Sequence, residues 1–150
     1  MRRAVLLLLG VIVLLALVDA FGQRPSTSRA SASFATLEVQ SPSTLRGGLI
    51  FQTRLTVHAR TAIAHPTLVL QHGWFESMSV NSIVPNPTSQ ASVDGTVRLT
   101  YPRLEAGHSS SVWIYFQVNP TNVGRRSEDV ALEGGRGQRL VVRRSVTVLP

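Results

Sequence analysis

The sequence predicts an all-β protein: a two-sheet antiparallel sandwich of seven or eight strands, preceded by one N-terminal hydrophobic helix. Two observations carry that expectation. From Phe34 onward apolar residues recur with a period of two rather than 3.6, and turn-forming residues interrupt the alternation at short intervals. No helical pattern occurs after the first segment.

That first segment is distinct. Arg2 and Arg3 precede fifteen residues, Ala4 to Val18, without a charge or a polar side chain, and Asp19 ends the run. This is a basic flank followed by an apolar stretch, which predicts a signal-anchor or signal peptide over residues 1–22. The basic flank stays inside, so the chain after Asp19 is expected outside the cell membrane. Fifteen helical residues reach about 22 Å, and extension to Gly22 reaches about 28 Å, enough for a thin bilayer. Residues 4–22 are therefore expected to hold the chain in the membrane as a single pass. The alternative is secretion after cleavage near Ala20, where Val18 and Ala20 supply small residues. Residues 23–33, QRPSTSRASAS, are polar and Ser-rich and read as a disordered linker.

The domain is expected over 34–150. Leu49, Phe51, Thr53, Leu55, Val57 and Ala59 line one face of a strand and alternate with Gln52, Arg54, Thr56, His58 and Arg60. Val97, Leu99 and Tyr101 alternate with Arg98 and Thr100. Val112, Ile114, Phe116 and Val118 alternate with Trp113, Tyr115 and Gln117. Leu140, Val142, Val146 and Val148 alternate with Val141, Arg143, Ser145 and Thr147. Half-buried antiparallel strands have this pattern. Turns are marked by Gly47-Gly48, Asn86-Pro87, Asp94-Gly95, Ala106-Gly107, Asn119-Pro120 and Gly134-Gly135-Arg136-Gly137. The strands are expected at about 34–40, 49–60, 67–72, 77–84, 96–101, 111–118, 129–133 and 139–148.

These pieces resemble a family. Leu45-Arg46-Gly47-Gly48, the strand from Leu49 to Ala59, Asp94-Gly95 leading into Val97-Arg98-Leu99, and Leu104-Glu105-Ala106-Gly107-His108-Ser109 leading into Val112 to Val118 are similar to bacterial cell-envelope immunoglobulin-like domains of the cell-adhesion or conserved-repeat type. The resemblance covers about residues 36–120, and the chain departs from it after Asn119. It implies an immunoglobulin-like sandwich, a place in the cell envelope and a binding or spacer role. It transfers no catalytic residues.

Composition excludes much chemistry. The 150 residues contain no Cys and no Lys. That removes disulfides, thiolate metal sites, a cysteine nucleophile, a P-loop and Schiff-base catalysis. His58, His65 and His72 recur every seven residues, with Glu76 close behind, but on strand–loop–strand they read as surface histidines rather than a metal site. No Gly-x-Ser-x-Gly elbow exists. Glu128-Asp129 after Arg125-Arg126 reads as surface ion pairs. No catalytic residue, cofactor or metal is expected, and the protein is read as non-enzymatic.

Charge remains. Fifteen Arg against eight acids give +7, and translocation removes nucleic acid as a partner. An envelope protein or an anionic envelope polymer is expected instead. With Val112, Ile114, Phe116 and Val118 facing inward, Trp113 and Tyr115 must face outward. If the last strand pairs beside theirs, Arg139, Val141 and Arg143 share that face. Aromatics with Arg compose contact hot spots, so these five residues are the candidate partner-binding surface. The function read from the sequence is a membrane-tethered interaction module. The alternative is a structural spacer or small accessory subunit of a membrane complex.

Overall fold

The computed structural model describes residues 2–17, 25–135 and 137–150. The helix α1 spans Arg2–Leu17 and is apolar after its two arginines. Among the described residues no helix is long and apolar enough to cross a membrane. The cleavage position near Ala20, and the extension of the apolar segment to Gly22, lie outside the described residues.

The rest is strand. In chain order these are β1 (Pro25–Ser31), β2 (Ala35–Pro42), β3 (Thr44–Arg46), β4 (Ile50–Ala59), β5 (Thr67–Leu70), β6 (Met78–Val84), β7 (Ser89–Val93), β8 (Thr96–Thr100), β9 (Ser109–Val118), β10 (Gly124–Ser127), β11 (Val130–Gly135), β12 (Gln138–Val142) and β13 (Ser145–Leu149). Among the described residues one 3-10 turn, His72–Trp74, interrupts them. The first sheet has the order β1-β2-β4-β9-β6 and the second β12-β11-β5-β8-β7, both antiparallel. A small third sheet, β10-β13-β3, closes one end, with β13 and β3 parallel.

Every strand expected from alternation is present within a few residues, but the structure adds to them. The segment expected as a disordered linker is, over Pro25–Ser31, strand β1, paired residue by residue with β2. It carries no large apolar residue because it needs none. Ser26, Ser28 and Ala30 are half-buried while Arg29 reaches Glu38 and Ser31 reaches Thr36 across the outer side. An edge strand is held chiefly by its backbone ladder and cross-strand pairs, so hydrophobic patterning misses it. Residues 25–31 are therefore part of the first sheet rather than a disordered linker. Strands β3, β7 and β10 escape the pattern for a related reason: each is three to five residues long, and β7 is exposed along its whole length. The expected final strand breaks at Arg143-Arg144 into β12 and β13, which belong to different sheets.

The Asp94-Gly95 hairpin forms as its residue types demand. Both residues have positive φ, 50° and 71°, the requirement of a two-residue type I′ turn.

The inner faces meet in one apolar core. Leu37, Leu55, Ile114 and Phe116 come from the first sheet, Leu68, Leu70, Leu99 and Leu132 from the second, and Leu45, Val146 and Val148 from the third. Leu49, placed on the inward face by parity, instead precedes β4 and is exposed. Phe116 is at the centre. Phe51 stacks on it at 5.3 Å and Trp74 at 5.4 Å, with Phe75 tilted at 6.4 Å.

Three of the places where the chain passes from one sheet to another, β2 to β3, β10 to β11 and β12 to β13, meet at a buried ion pair. Arg144, between β12 and β13, donates through Nη2 to the carbonyls of Ser41 (3.2 Å) and Pro42 (2.9 Å) at the end of β2. Its Nη1 lies 3.6 Å from the carboxylate of Glu128, between β10 and β11, and its guanidinium stacks 5.4 Å from the centre of the Trp74 ring. The backbones join as well. The Glu128 N–H donates to the Arg144 carbonyl, and the Arg144 N–H donates to Asp129 Oδ1, both at 3.0 Å. The expectation of surface ion pairs at Glu128-Asp129 is thus corrected: the Glu128 side chain is fully buried. The parity that places Val142 and Val146 inward also places Arg144 there.

The Glu128 carboxylate accepts no hydrogen bond among the described residues. Burial therefore dominates and pushes its pKa up to about 7, against the opposing pull of Arg144 and then Arg126.

This packing has two measurable consequences. Phe116→Ala should lower stability by about 3–5 kcal/mol, the range for truncating a buried Phe, measured by denaturant unfolding. For Glu128 the folded pKa lies above the unfolded value of 4.5, so the folded state holds the proton more tightly. Its contribution is complete below pH 4.5, falls as pH rises to 7, and is gone above that, a loss of about 3 kcal/mol. Glu128→Gln should flatten this part of the stability–pH curve. An unchanged slope in the variant would show that Glu128 is ionised throughout.

Candidate functional site

Strand β9 carries Trp113 and Tyr115 on the outer side of the first sheet because its even-numbered residues fill the core. Both rings are half-buried. Their neighbours come from the flanking strands. On β4, Arg54 lies opposite Trp113 and Gln52 opposite Tyr115. On β6, Val84 and Ser82 occupy the corresponding positions. Gln52 Nε2 donates to the Tyr115 hydroxyl at 3.2 Å.

A cleft of about 330 Å³ is walled by Pro25, Gln40, Pro42, Gln52, Arg54 and Trp113. Proline at the facing ends of β1 and β2 forms one wall, and the Trp113–Arg54 pair forms another. Arg29 is tied to Glu38 on the same side of the sheet. Arg54 makes no ion pair among the described residues. The cleft thus presents a guanidinium, an indole and amide groups. These can meet a carboxylate, phosphate or sulfate together with an apolar or ring face.

The five residues singled out from the sequence do not form one surface. Trp113 and Tyr115 are on the outer side of the first sheet. Arg139 and Val141 are on β12, the edge strand of the second sheet, paired only to β11. Arg143 is in the step between β12 and β13. The expected pairing of the last strand beside β9 fails because both edges of β9 are already taken, by β4 and β6. Arg139 instead lies opposite Glu133, whose carboxylate is engaged by Arg98. The residues that do join Trp113 and Tyr115 are Gln52 and Arg54. Alternation already placed them outward on β4, but only the β4–β9 pairing brings them to the aromatics.

The histidines stay apart. His58 is on the first sheet, with Nδ1 2.9 Å from Ser109 Oγ, His65 is in the β4–β5 connection, and His72 opens the 3-10 turn. The chain between His58 and His72 crosses from one sheet to the other, so no hairpin joins them. Among the described residues no group of three His, Cys, Asp or Glu side chains is placed to hold a metal ion.

No family model matches the chain, and no curated protein matches it. Several solved structures are similar in shape. The chain overlaps a cohesin, CaCohA2 from Clostridium acetobutylicum, with TM-score 0.47 and 14% identity, over 75% of this chain and 88% of that one. A CARDB domain from Pyrococcus furiosus, solved in complex with di-metal ions, gives 0.48 and 13%, over 79% and 97%. A non-cellulosomal cohesin from Archaeoglobus fulgidus gives 0.47 and 10%, over 73% and 88%. At these values the functional reading rests on this chain's own surface.

Proposed function

We propose that this protein is a non-enzymatic interaction module, tethered to a membrane through residues 4–22, whose first sheet presents its outer side to an envelope protein or anionic envelope polymer. The observation that carries this reading is the cleft beside Trp113, with Arg54 opposite the indole and without an internal counter-ion among the described residues. An exposed arginine backed by aromatic rings is a contact anchor, because the rings contribute area at low entropic cost and the guanidinium supplies direction. The overall charge of +7 favours an acidic partner and speeds its encounter.

The tether rests on α1. Every large side chain described from Val5 to Leu14 is about half exposed or more, on all sides of the helix, and none packs on the β domain. An apolar helix with no protein partner is suited to lipid. The same feature favours a second reading, a spacer or small accessory subunit whose helix packs in a membrane complex while the domain holds distance. In both readings the domain sits outside the cell membrane.

Replacing Trp113 and Tyr115 together by Ser should leave melting nearly unchanged, because the rings lie outside the core. Co-purification of the partner from detergent extracts should be lost, since central aromatic anchors contribute about 2 kcal/mol or more each. Arg54→Ala should weaken the same complex, and salt should weaken the parent complex as the Debye length contracts from about 10 Å at 0.1 M to about 3 Å at 1 M. Retention of the partner by both variants would exclude this face and favour the accessory-subunit reading.

A further inference from the structure

We infer that the pole of the sandwich formed by the β3–β4 turn, the β9–β10 loop and the end of β13 is a lipid-docking tip that seats the domain on the bilayer holding α1. The inference rests on the membrane tether proposed above and adds an orientation and a second contact to it.

Exposed apolar residues are unevenly placed. The described part of the β domain exposes eight large ones. Four of them, Leu49, Ile50, Val123 and Leu149, are at this one pole, and the others are scattered over the sheets. Local bonds make the four a single surface. The Gly47 N–H donates to the Leu149 carbonyl at 3.2 Å. Leu49 accepts from the Val118 N–H at 2.9 Å, and Gly48 donates back to Val118 at 3.0 Å. The β3–β4 turn lies so close to the β9–β10 loop that a Cβ on Gly47 would stand 2.5 Å from the Pro120 carbonyl oxygen. Gly124 pairs with Val148, which brings Val123 beside Leu149. Arg46, opposite Leu149, and Arg125, opposite Thr147, are exposed around this apolar patch.

The opposite pole differs in character. Its connections carry Arg60, Thr61, Ala62, His65, Arg103 and His108, all exposed, and no exposed large apolar residue among those described. An apolar tip ringed by arginine suits the boundary between acyl chains and anionic headgroups, whereas the other pole suits water.

Chain connectivity selects the occupant. Strand β1 starts at Pro25, which pairs with Pro42, and runs away from the apolar pole. The chain therefore enters the domain at the apolar end. The Ser41–Thr53 hydroxyl contact at 2.8 Å sets Pro42 level with Gln52. The tip at Gly48–Ile50 thus lies two to four residues beyond Pro25, about 7–13 Å. Seven residues separate Leu17 from Pro25, and eight Cα steps span at most about 28 Å. A domain on so short a lead cannot move far from the surface into which α1 inserts. The end it turns toward that surface is the one bearing Ile50 and Leu149. A second copy or a soluble protein would have no reason to prefer the tether side.

The sequence contains no Cys, so single cysteines report position without interference. The full chain is reconstituted into phosphatidylcholine vesicles containing phosphatidylglycerol, with an environment-sensitive nitrobenzoxadiazole label at Ile50→Cys, Ala62→Cys or Leu9→Cys. Ile50 is 58% exposed, so its replacement leaves the core intact. The label at position 50 should shift its emission to the blue and lose most of it to a headgroup-depth lipid quencher, while the label at position 62 should do neither. The label at position 9 tests the tether alone, with a quencher carried deep in the acyl chains. Quenching at 9 with position 50 behaving like 62 would overturn the docking tip and leave the tether standing. Quenching at neither 9 nor 50 would overturn both. Quenching at 50 but not at 9 would support the tip and sink the tether. A blue shift at 50 that the lipid quencher leaves untouched means that protein covers the tip, and overturns the inference. As a second variant, Ile50→Asp with Val123→Asp should abolish quenching of a label at Leu149→Cys while the β-sheet circular dichroism is retained. Persistent quenching there would also count against the inference.

Discussion

Arg144 is the residue on which the arrangement of sheets depends. A strand that leaves one sheet for another breaks its ladder, and the backbone groups at the break need partners away from water. Here three such breaks coincide, and one guanidinium serves them together. It bonds to two carbonyls at the end of β2, faces the Glu128 carboxylate beside the start of β11, and carries its own backbone into the β13 side of the junction. Trp74 lies under it and donates its indole N–H to the Asp129 carbonyl at 3.2 Å, so the polar junction passes directly into the Phe116 stack. The arrangement is costly, because two charges are taken out of water and the carboxylate is left without a hydrogen-bond donor among the described residues. The gain is specificity: no apolar side chain could satisfy the Ser41 and Pro42 carbonyls at once.

That junction also decides where the outer surfaces fall. By directing β12 into the second sheet and β13 into the third, it keeps the last two strands from pairing with β9. Strand β9 is left between β4 and β6, and its aromatics meet Arg54 and Gln52 instead of Arg139 and Arg143. The same crossings bring β3 and β13 side by side at one pole, where their ends, with Leu49, Ile50 and Val123, form the apolar tip. Cleft and tip both lie toward the end at which the chain enters the domain.

Much of the fold is legible in the sequence. Residues 51–59, 112–118 and 140–148 show their inward faces plainly, since a sheet face buried on one side demands strict alternation. Asp94-Gly95 names its turn, because few residue pairs tolerate positive φ twice in succession. The site is legible only in part. Trp113 and Tyr115 can be placed outward from their own strand, and so can Arg54 from its own. Nothing local says which strands are neighbours, because pairing depends on which edges remain free once the other strands have docked. Strand β1 is hidden for another reason. Its contribution is a backbone ladder, and a ladder has no side-chain signature.

Composition and alternation therefore determine the all-β class, the apolar N-terminal segment, the inward set of each long strand and the chemistry that is impossible without Cys or Lys. These are properties of single segments, imposed by sterics and by the removal of apolar surface from water. Tertiary structure alone decides the strand order, the burial of Glu128 and Arg144, the company that Trp113 keeps and the pole at which exposed apolar residues gather. Each of these joins residues from distant parts of the chain. Their energies come from desolvation and contact between segments, and no window along the sequence contains both partners.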